Sequence, residues 1–197
     1  MTNRFSNLKK VPPEPAAKLL ALSELELETS LTCPVSASVE DVLLELEERG
    51  AGLDMIRVMS AALPSRERVW WSCLAARDIL GSGPENETPC LRTAEAWVFR
   101  PSDESRRAVM QAMDHVSPKD KTVYCAMGVM YSDDTLGPGE MAQYPAPPGG
   151  SAIAAFAMNI EALAFRKDIW NQHIQTLIDR ALDIARGGNG KGEKDPK

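Results

Sequence analysis

The sequence predicts an all-α protein, a bundle of seven or eight short helices packed as helical hairpins, with one long Pro/Gly-rich loop. Three observations predict this fold. Apolar residues recur at the i, i+3, i+4, i+7 spacing of a helix face through most of the chain. Residues that favour helix N-termini precede these runs, and glycine or proline follows them. The loop, residues 132–150, contains four prolines and four glycines.

The N-terminal part of the chain contains one ambiguous stretch and one strong helix. Residues 16–22 fit a short helix, whereas residues 25–28 alternate Leu and Glu and fit either an edge strand or a helix. Ser38, followed by Asp41 at the third helical position, has the pattern of a capping box. Gly50 ends this helix, because glycine favours the position after a helix C-terminus.

The middle and the end of the chain contain further helix starts. Pro64 starts a helix that glycine and proline end at residues 81–84. Thr88 and Ser102 cap the next two helices. One more helical stripe precedes the loop at residues 132–150, and two follow it.

Length and composition indicate one domain. A chain of 197 residues with 44% hydrophobic residues buries a core without disulfides or metals. We expect residues 1–16 to be a mobile N-terminal segment, residues 17–186 to be a single helical domain, and residues 187–197 to be a disordered tail.

Charge and hydropathy exclude several classes of partner. The net charge is −6, and both ends of the chain are positive, so the body between them is strongly acidic. Such a body disfavours nucleic acid, whose backbone needs clustered Lys and Arg. No apolar run reaches the ~20 residues of a membrane span, and no apolar region follows the positive N-terminus. We therefore expect a cytoplasmic protein.

Two tryptophan blocks carry a family resemblance. They read Trp70-Trp71-x-Cys73 and Ala94-x-x-Trp97-Val98-x-x-Pro101. With these blocks, the chain resembles an uncharacterised family of small bacterial all-helical proteins over about residues 38–186. Some members of that family are encoded near secretion-system genes, type VI in particular. The resemblance implies no known activity and no catalytic residues.

The adjacent tryptophans have two interpretations. On a helix, Trp70, Cys73 and Arg77 share one face, and Trp71 points about 100° away. In the first interpretation, one tryptophan lies in the core and the other fills a second seam between helices. In the second, Trp71 or Trp97 is a partly exposed anchor for a partner protein.

The loop at residues 132–150 also has two interpretations, which do not exclude each other. It is too long for a simple turn. It fits an extended strap across the helices, with Tyr131, Met141 and Tyr144 as anchors. It also fits a recognition surface, as Pro-rich extended segments do.

The remaining chemistry-bearing residues form no recognisable motif. The four cysteines are dispersed, which favours small buried hydrophobic residues over two disulfides. Cys73 and Cys125 have apolar neighbours, which disfavour a thiolate. The two histidines, His115 and His173, are too few for a histidine metal site. The acidic residues of the loop lack the calcium-loop spacing, so we expect no metal and no cofactor.

The sequence therefore predicts a non-enzymatic protein–protein interaction module, an adaptor, chaperone or accessory component of a bacterial secretion system. Its partner is another protein. The alternative is a small enzyme with an unrecognised site built from Cys125, His115 and loop carboxylates. The expected partner-binding residues, apolar anchors and one hydrogen-bonding arginine, are Trp71, Trp97, Arg100, Tyr131 and Tyr144.

Overall fold

A computed structural model describes residues 3–114 and 116–192 of the protein. Within these residues the secondary structure is helical, with one isolated β-bridge and three short 3₁₀ turns. The all-α prediction is confirmed, and the described residues contain more helices than the seven or eight that the sequence predicted. The described residues form nine helices, α1 Ala16–Leu22, α2 Val39–Glu48, α3 Gly52–Ala62, α4 Ser65–Leu80, α5 Pro89–Phe99, α6 Asp103–Met113, α7 Val123–Met130, α8 Gly150–Phe165 and α9 Trp170–Arg186.

Three helices, α2, α5 and α6, begin at the capping residues that the sequence predicts, Ser38, Thr88 and Ser102. The Ser38 hydroxyl accepts the Asp41 N–H at 3.1 Å, and the Asp41 carboxylate accepts the Ser38 N–H at 3.3 Å, which is the predicted capping box. The Thr88 hydroxyl accepts the Leu91 N–H at 3.2 Å at the start of α5. These side chains satisfy backbone donors that have no partner inside the helix.

Helix α4 lies at the centre of the fold. It packs against α5, α7, α8 and α9, while α3 packs against α1, α2, α8 and α9. The buried side chains of these helices belong to one continuous core. Fully buried members of that core from four different helices are Met59, Trp71, Leu163 and Leu177.

Residues 25–28, ambiguous in sequence, form neither a strand nor a helix. The carboxylate of Asp54, which is 2% exposed, accepts the N–H groups of Glu28 at 3.1 Å and Thr29 at 2.8 Å. It also pairs with Arg57 at 2.6 Å. The buried carboxylate of Asp54 therefore satisfies backbone N–H groups at the end of this stretch, which has no partner strand.

The N-terminal segment, expected to be mobile, packs onto the helical domain. Phe5 is fully buried and Leu8 is 7% exposed. The Lys10 N–H donates to the Ala185 carbonyl of α9 at 2.9 Å, and the Arg4 guanidinium pairs with Asp179 of α9 at 2.7 Å. Phe5 and Leu8 are apolar side chains in a polar and Pro-rich stretch. Their burial extends the packed unit well before residue 17.

The beginning of the tail expected at residues 187–197 is also packed. Residues 187–192 turn back from the end of α9, where Gly187 has a φ of +101°. The Gly188 N–H donates to the Asp183 carbonyl, and the Gly190 N–H donates to the Asp183 carboxylate at 2.8 Å. Residues 193–197 lie outside the described part of the chain.

Residues 131–149, the strap, connect α7 to α8. Arg106 of α6, which is 4% exposed, donates to the Met130 carbonyl and pairs with the Asp133 carboxylate. A buried arginine thus holds the beginning of the strap against α6 and α7. The two arms of the strap are joined by backbone hydrogen bonds of 2.9 Å from Leu136 to Tyr144 and from Ala146 to Asp134.

Candidate functional site

Trp71 and Trp97, predicted to be partly exposed anchors, are core residues. Trp71 is fully buried, and its indole N–H donates to the Leu177 carbonyl of α9 at 2.9 Å. Trp97 is 6% exposed. The predicted placement is wrong for both, because the faces of α4 and α5 that carry them point into the bundle.

The partly exposed tryptophan of the pair is Trp70. Its ring contacts Phe99 edge to face, with the ring centroids 5.9 Å apart. Phe99, the last residue of α5, is 69% exposed. These two rings form an aromatic surface between α4 and α5, which we call the Trp70–Phe99 surface.

Two clefts border this surface. A cleft of about 460 Å³ lies beside Trp70 and Phe99 and is also lined by Leu74, Arg77 and Arg180. A second cleft of about 230 Å³ shares both aromatic rings. Its further lining includes Arg66, Val98 and Ile184. The exposed rings therefore separate two concavities, each wide enough for a side chain of a bound segment.

The carboxylates that line the two clefts are all paired with cations. Arg77 binds Glu95 at 2.7 Å and Arg180 binds Asp78 at 2.5 Å. The hydrogen bond to Glu95 is the main reason that the pKa of Arg77 is raised above its ordinary value, and it outweighs the opposite effect of burial. Lys10 pairs in the same way with Glu67 at 2.5 Å. These pairs neutralise the acidic groups that line the clefts.

Three further cations at the surface have no carboxylate within ion-pair distance among the described residues. The Arg66 guanidinium donates to the Val98 carbonyl at 2.6 Å, and the Lys191 ammonium lies 5.6 Å from the centroid of the Trp70 ring. Arg100, a predicted binding residue, is exposed directly after Phe99. An excess of positive charge therefore borders the aromatic rings of a protein whose net charge is −6.

The structure places Tyr131 and Tyr144 on the strap and Trp70 on α4. Tyr131 is half-buried, and a Cβ on Gly150 would lie 2.8 Å from its ring, so Tyr131 packs closely against the start of α8. Tyr144 is 50% exposed near the tip of the strap. The expected anchor role in packing therefore fits Tyr131, while Tyr144 remains available at the surface.

Burial opposes the thiolate that a cysteine enzyme needs. Cys73, Cys90 and Cys125 are fully buried, and all four cysteines are free thiols. Burial raises the pKa of Cys73 well above its ordinary value and raises the pKa of Cys90 to about 11. His115 lies outside the described residues, and His173 is 5% exposed, with burial lowering its pKa.

The loop carboxylates do not form a metal site. Asp133 accepts the Thr135 N–H at 3.2 Å and pairs with Arg106, so its oxygens are used within the protein. In residues 3–114 and 116–192, no group of three or more His, Cys, Asp or Glu residues is placed to hold a metal ion. No helix in the same residues combines the length and apolar character of a membrane span.

Sequence reasoning missed Trp70 and Phe99 as a surface. The buried residues of α5 are Cys90, Leu91, Ala94, Trp97 and Val98, which form one helical stripe. Phe99 follows that stripe and lies outside it. An aromatic residue off the apolar face at a helix end is the sequence signal by which this site could have been found.

The fold and this surface define an all-helical protein with an exposed aromatic surface bordered by cations. The model of the family of unknown function DUF6931 matches residues 42–185. The protein therefore belongs to that family. Neither a curated protein nor a solved structure matches the chain.

Proposed function

We propose that the protein is a non-enzymatic protein–protein interaction module that binds its partner at the Trp70–Phe99 surface. The observation that carries the proposal is the 69% exposure of Phe99 in contact with the half-buried Trp70. Exposed aromatic rings flanked by clefts have the character of interface anchors, because they bury a large apolar area at little cost in side-chain entropy.

The charge around the rings supports a partner segment that is acidic. Arg66 and Arg100 leave positive charge at the edge of the surface, while the carboxylates that line the clefts are paired. The matching segment is acidic and carries at least one apolar or aromatic side chain for the clefts. Its carboxylates would speed association and set the orientation, and its apolar side chain would supply most of the affinity.

The cellular context is the further part of the proposal. The tryptophan blocks resemble bacterial proteins encoded near type VI secretion genes. We therefore place the protein in the bacterial cytoplasm, as an adaptor, chaperone or accessory component of such a system. The burial of Cys73, Cys90 and Cys125, which opposes a thiolate, supports binding over a cysteine-based reaction.

The test uses two labelled synthetic peptides with the same Leu and Phe positions. One peptide has Glu and Asp at the remaining positions, and the other has Lys. Fluorescence anisotropy titrations measure the affinity of each peptide for the full-length protein. We expect the acidic peptide to bind and the basic peptide to bind far more weakly, with the difference decreasing at high salt.

Two variants locate the binding site. Phe99→Ala should weaken the acidic peptide by about tenfold or more, as expected for an interface anchor. Phe165→Ala is the matched control, because Phe165 is 56% exposed at the end of another helix, α8, and should leave the affinity unchanged. Equal binding of the two peptides, or equal effects of the two variants, would overturn the proposal.

A further inference from the structure

We infer that residues 187–192, the C-terminal segment, cover Trp70 in the free protein and are displaced when a partner binds. The inference rests on the proposed function for the identity of the displacing ligand. The contacts that place the segment over Trp70 stand independently of it.

The C-terminal segment contacts both the N–H group and the ring face of the Trp70 indole. The indole N–H donates to the Asn189 carbonyl at 2.7 Å. The Lys191 ammonium lies 5.6 Å from the ring centroid, within the range of a cation–π contact. A partner that binds Trp70 through its N–H or its ring face must replace these contacts. The segment therefore competes with such a partner.

The segment is held by a small number of specific contacts. The Gly190 N–H donates to the Asp183 carboxylate at 2.8 Å. Gly190 also packs closely, because a Cβ at this position would lie 2.8 Å from the Leu74 and the Ile184 side chains. Its φ of +72° is accessible to glycine but strained for other residues. Gly190 is therefore the position at which the segment docks.

The composition of the segment lowers the free energy that is needed to displace it. Four of its six residues are glycines, at positions 187, 188, 190 and 192. Glycine gains more backbone freedom on release than any other residue, and the segment buries no large apolar side chain. Segments with few buried apolar contacts open at low free energy while the rest of the fold stays intact. The surface below the segment can thus be exposed without unfolding α4 or α9.

A pair of glycine variants in the full-length protein tests the inference. Gly190→Ala should displace the segment, because it adds a clashing Cβ at a positive φ. Gly192→Ala is the matched control, since Gly192 has a φ of +68° and open space around its Cβ position. The readout is the hydrogen exchange rate of the Trp70 indole N–H in ¹⁵N–¹H spectra, with the signal assigned from Trp70→Phe.

We expect faster indole exchange in Gly190→Ala and an unchanged rate in Gly192→Ala. An equal rate in the wild type and both variants would overturn the inference. If Gly190→Ala does not fold and its native spectrum is lost, Lys191→Ala provides a second variant. It removes the cation–π contact without strain and should also accelerate exchange, while an unchanged rate would contradict the proposed cover.

The acidic Leu/Phe peptide then connects the segment to binding. Displacement of the segment raises the fraction of the protein that is in the binding-competent state. Gly190→Ala should therefore bind the peptide at least about threefold more tightly than Gly192→Ala. Equal affinities of the two variants despite faster indole exchange would show that the segment and the peptide do not compete, which would overturn the inference. Faster exchange without any preference for the acidic over the basic peptide would instead contradict the proposed function and leave the cover of Trp70 in place.

Discussion

Trp70 and Trp71 are neighbours in the chain but lie in opposite environments. The rotation of about 100° per helical residue directs Trp71 toward α9 and Trp70 toward the surface between α4 and α5. Each indole N–H finds a carbonyl, at Leu177 for Trp71 and at Asn189 for Trp70. At the residue scale, one helical step thus separates a core side chain from a candidate binding side chain.

Trp71→Ala should therefore destabilise the protein and should not act as a binding variant. Loss of a fully buried tryptophan removes its buried area and leaves a cavity, at a cost of about 3–5 kcal/mol in the free energy of unfolding. Urea unfolding followed by far-UV circular dichroism measures this change. Trp70→Ala is the control, with a smaller loss because Trp70 is half-buried. Equal losses in the two variants would contradict the burial difference.

At the scale of elements, single carboxylates on helices order segments that lack regular structure. Glu45 of α2 accepts the Thr32 N–H at 2.7 Å, the Thr32 hydroxyl at 2.8 Å and the Cys33 N–H at 2.9 Å. The Thr32 backbone hydrogen bond is the main cause that lowers the pKa of Glu45 from 4.5 to about 2. Helix α2 therefore holds residues 32–33 through its ionised carboxylate.

The stabilisation by Glu45 should depend on pH. Because the folded-state pKa is below the unfolded value, the unfolded state takes up the proton first as the pH falls. The contribution is complete above about pH 4.5 and decreases as the pH falls toward 2. We expect the difference in unfolding free energy between wild type and Glu45→Gln to decrease from pH 7 to about pH 3 in urea titrations. A difference that stays constant would show that the ionised carboxylate is not the stabilising group.

At the scale of the whole molecule, the described segments before α1 and after α9, residues 3–15 and 187–192, are parts of the packed unit. The N-terminal segment joins α2 and α9, because Arg4 pairs with Glu47 of α2 and with Asp179 of α9. Phe5 enters the core beneath these pairs and is fully buried. The segment after α9 covers Trp70. Both segments therefore contribute contacts between elements that are distant in sequence.

Phe5→Ala tests the contribution of the N-terminal segment to the whole fold. Removal of this buried ring should lower the free energy of unfolding by about 3–5 kcal/mol, measured by urea titration, and should lower the melting temperature. Val35→Ala is the control, since Val35 also lies outside the helices but is 82% exposed and should change stability little. A Phe5→Ala effect as small as that of Val35→Ala would show that the segment does not contribute to the core in solution.

The sequence by itself determined the all-α class and most of the helix starts. These depend on local physics: the apolar spacing along each helix, and caps such as Ser38 and Thr88 that satisfy nearby backbone N–H groups. It also determined that Trp70 and Trp71 face different directions. Local patterns of this kind involve residues at most a few positions apart.

Only the tertiary structure decided which tryptophan is exposed and which parts of the chain join the core. Trp71 is buried because Leu177 of α9 lies against it, and Trp70 is covered by the carbonyl of Asn189. Both partners are more than 100 residues away in the chain. Such contacts arise when helices assemble, and the apolar spacing of one helix contains no information about which neighbour will cover each of its faces.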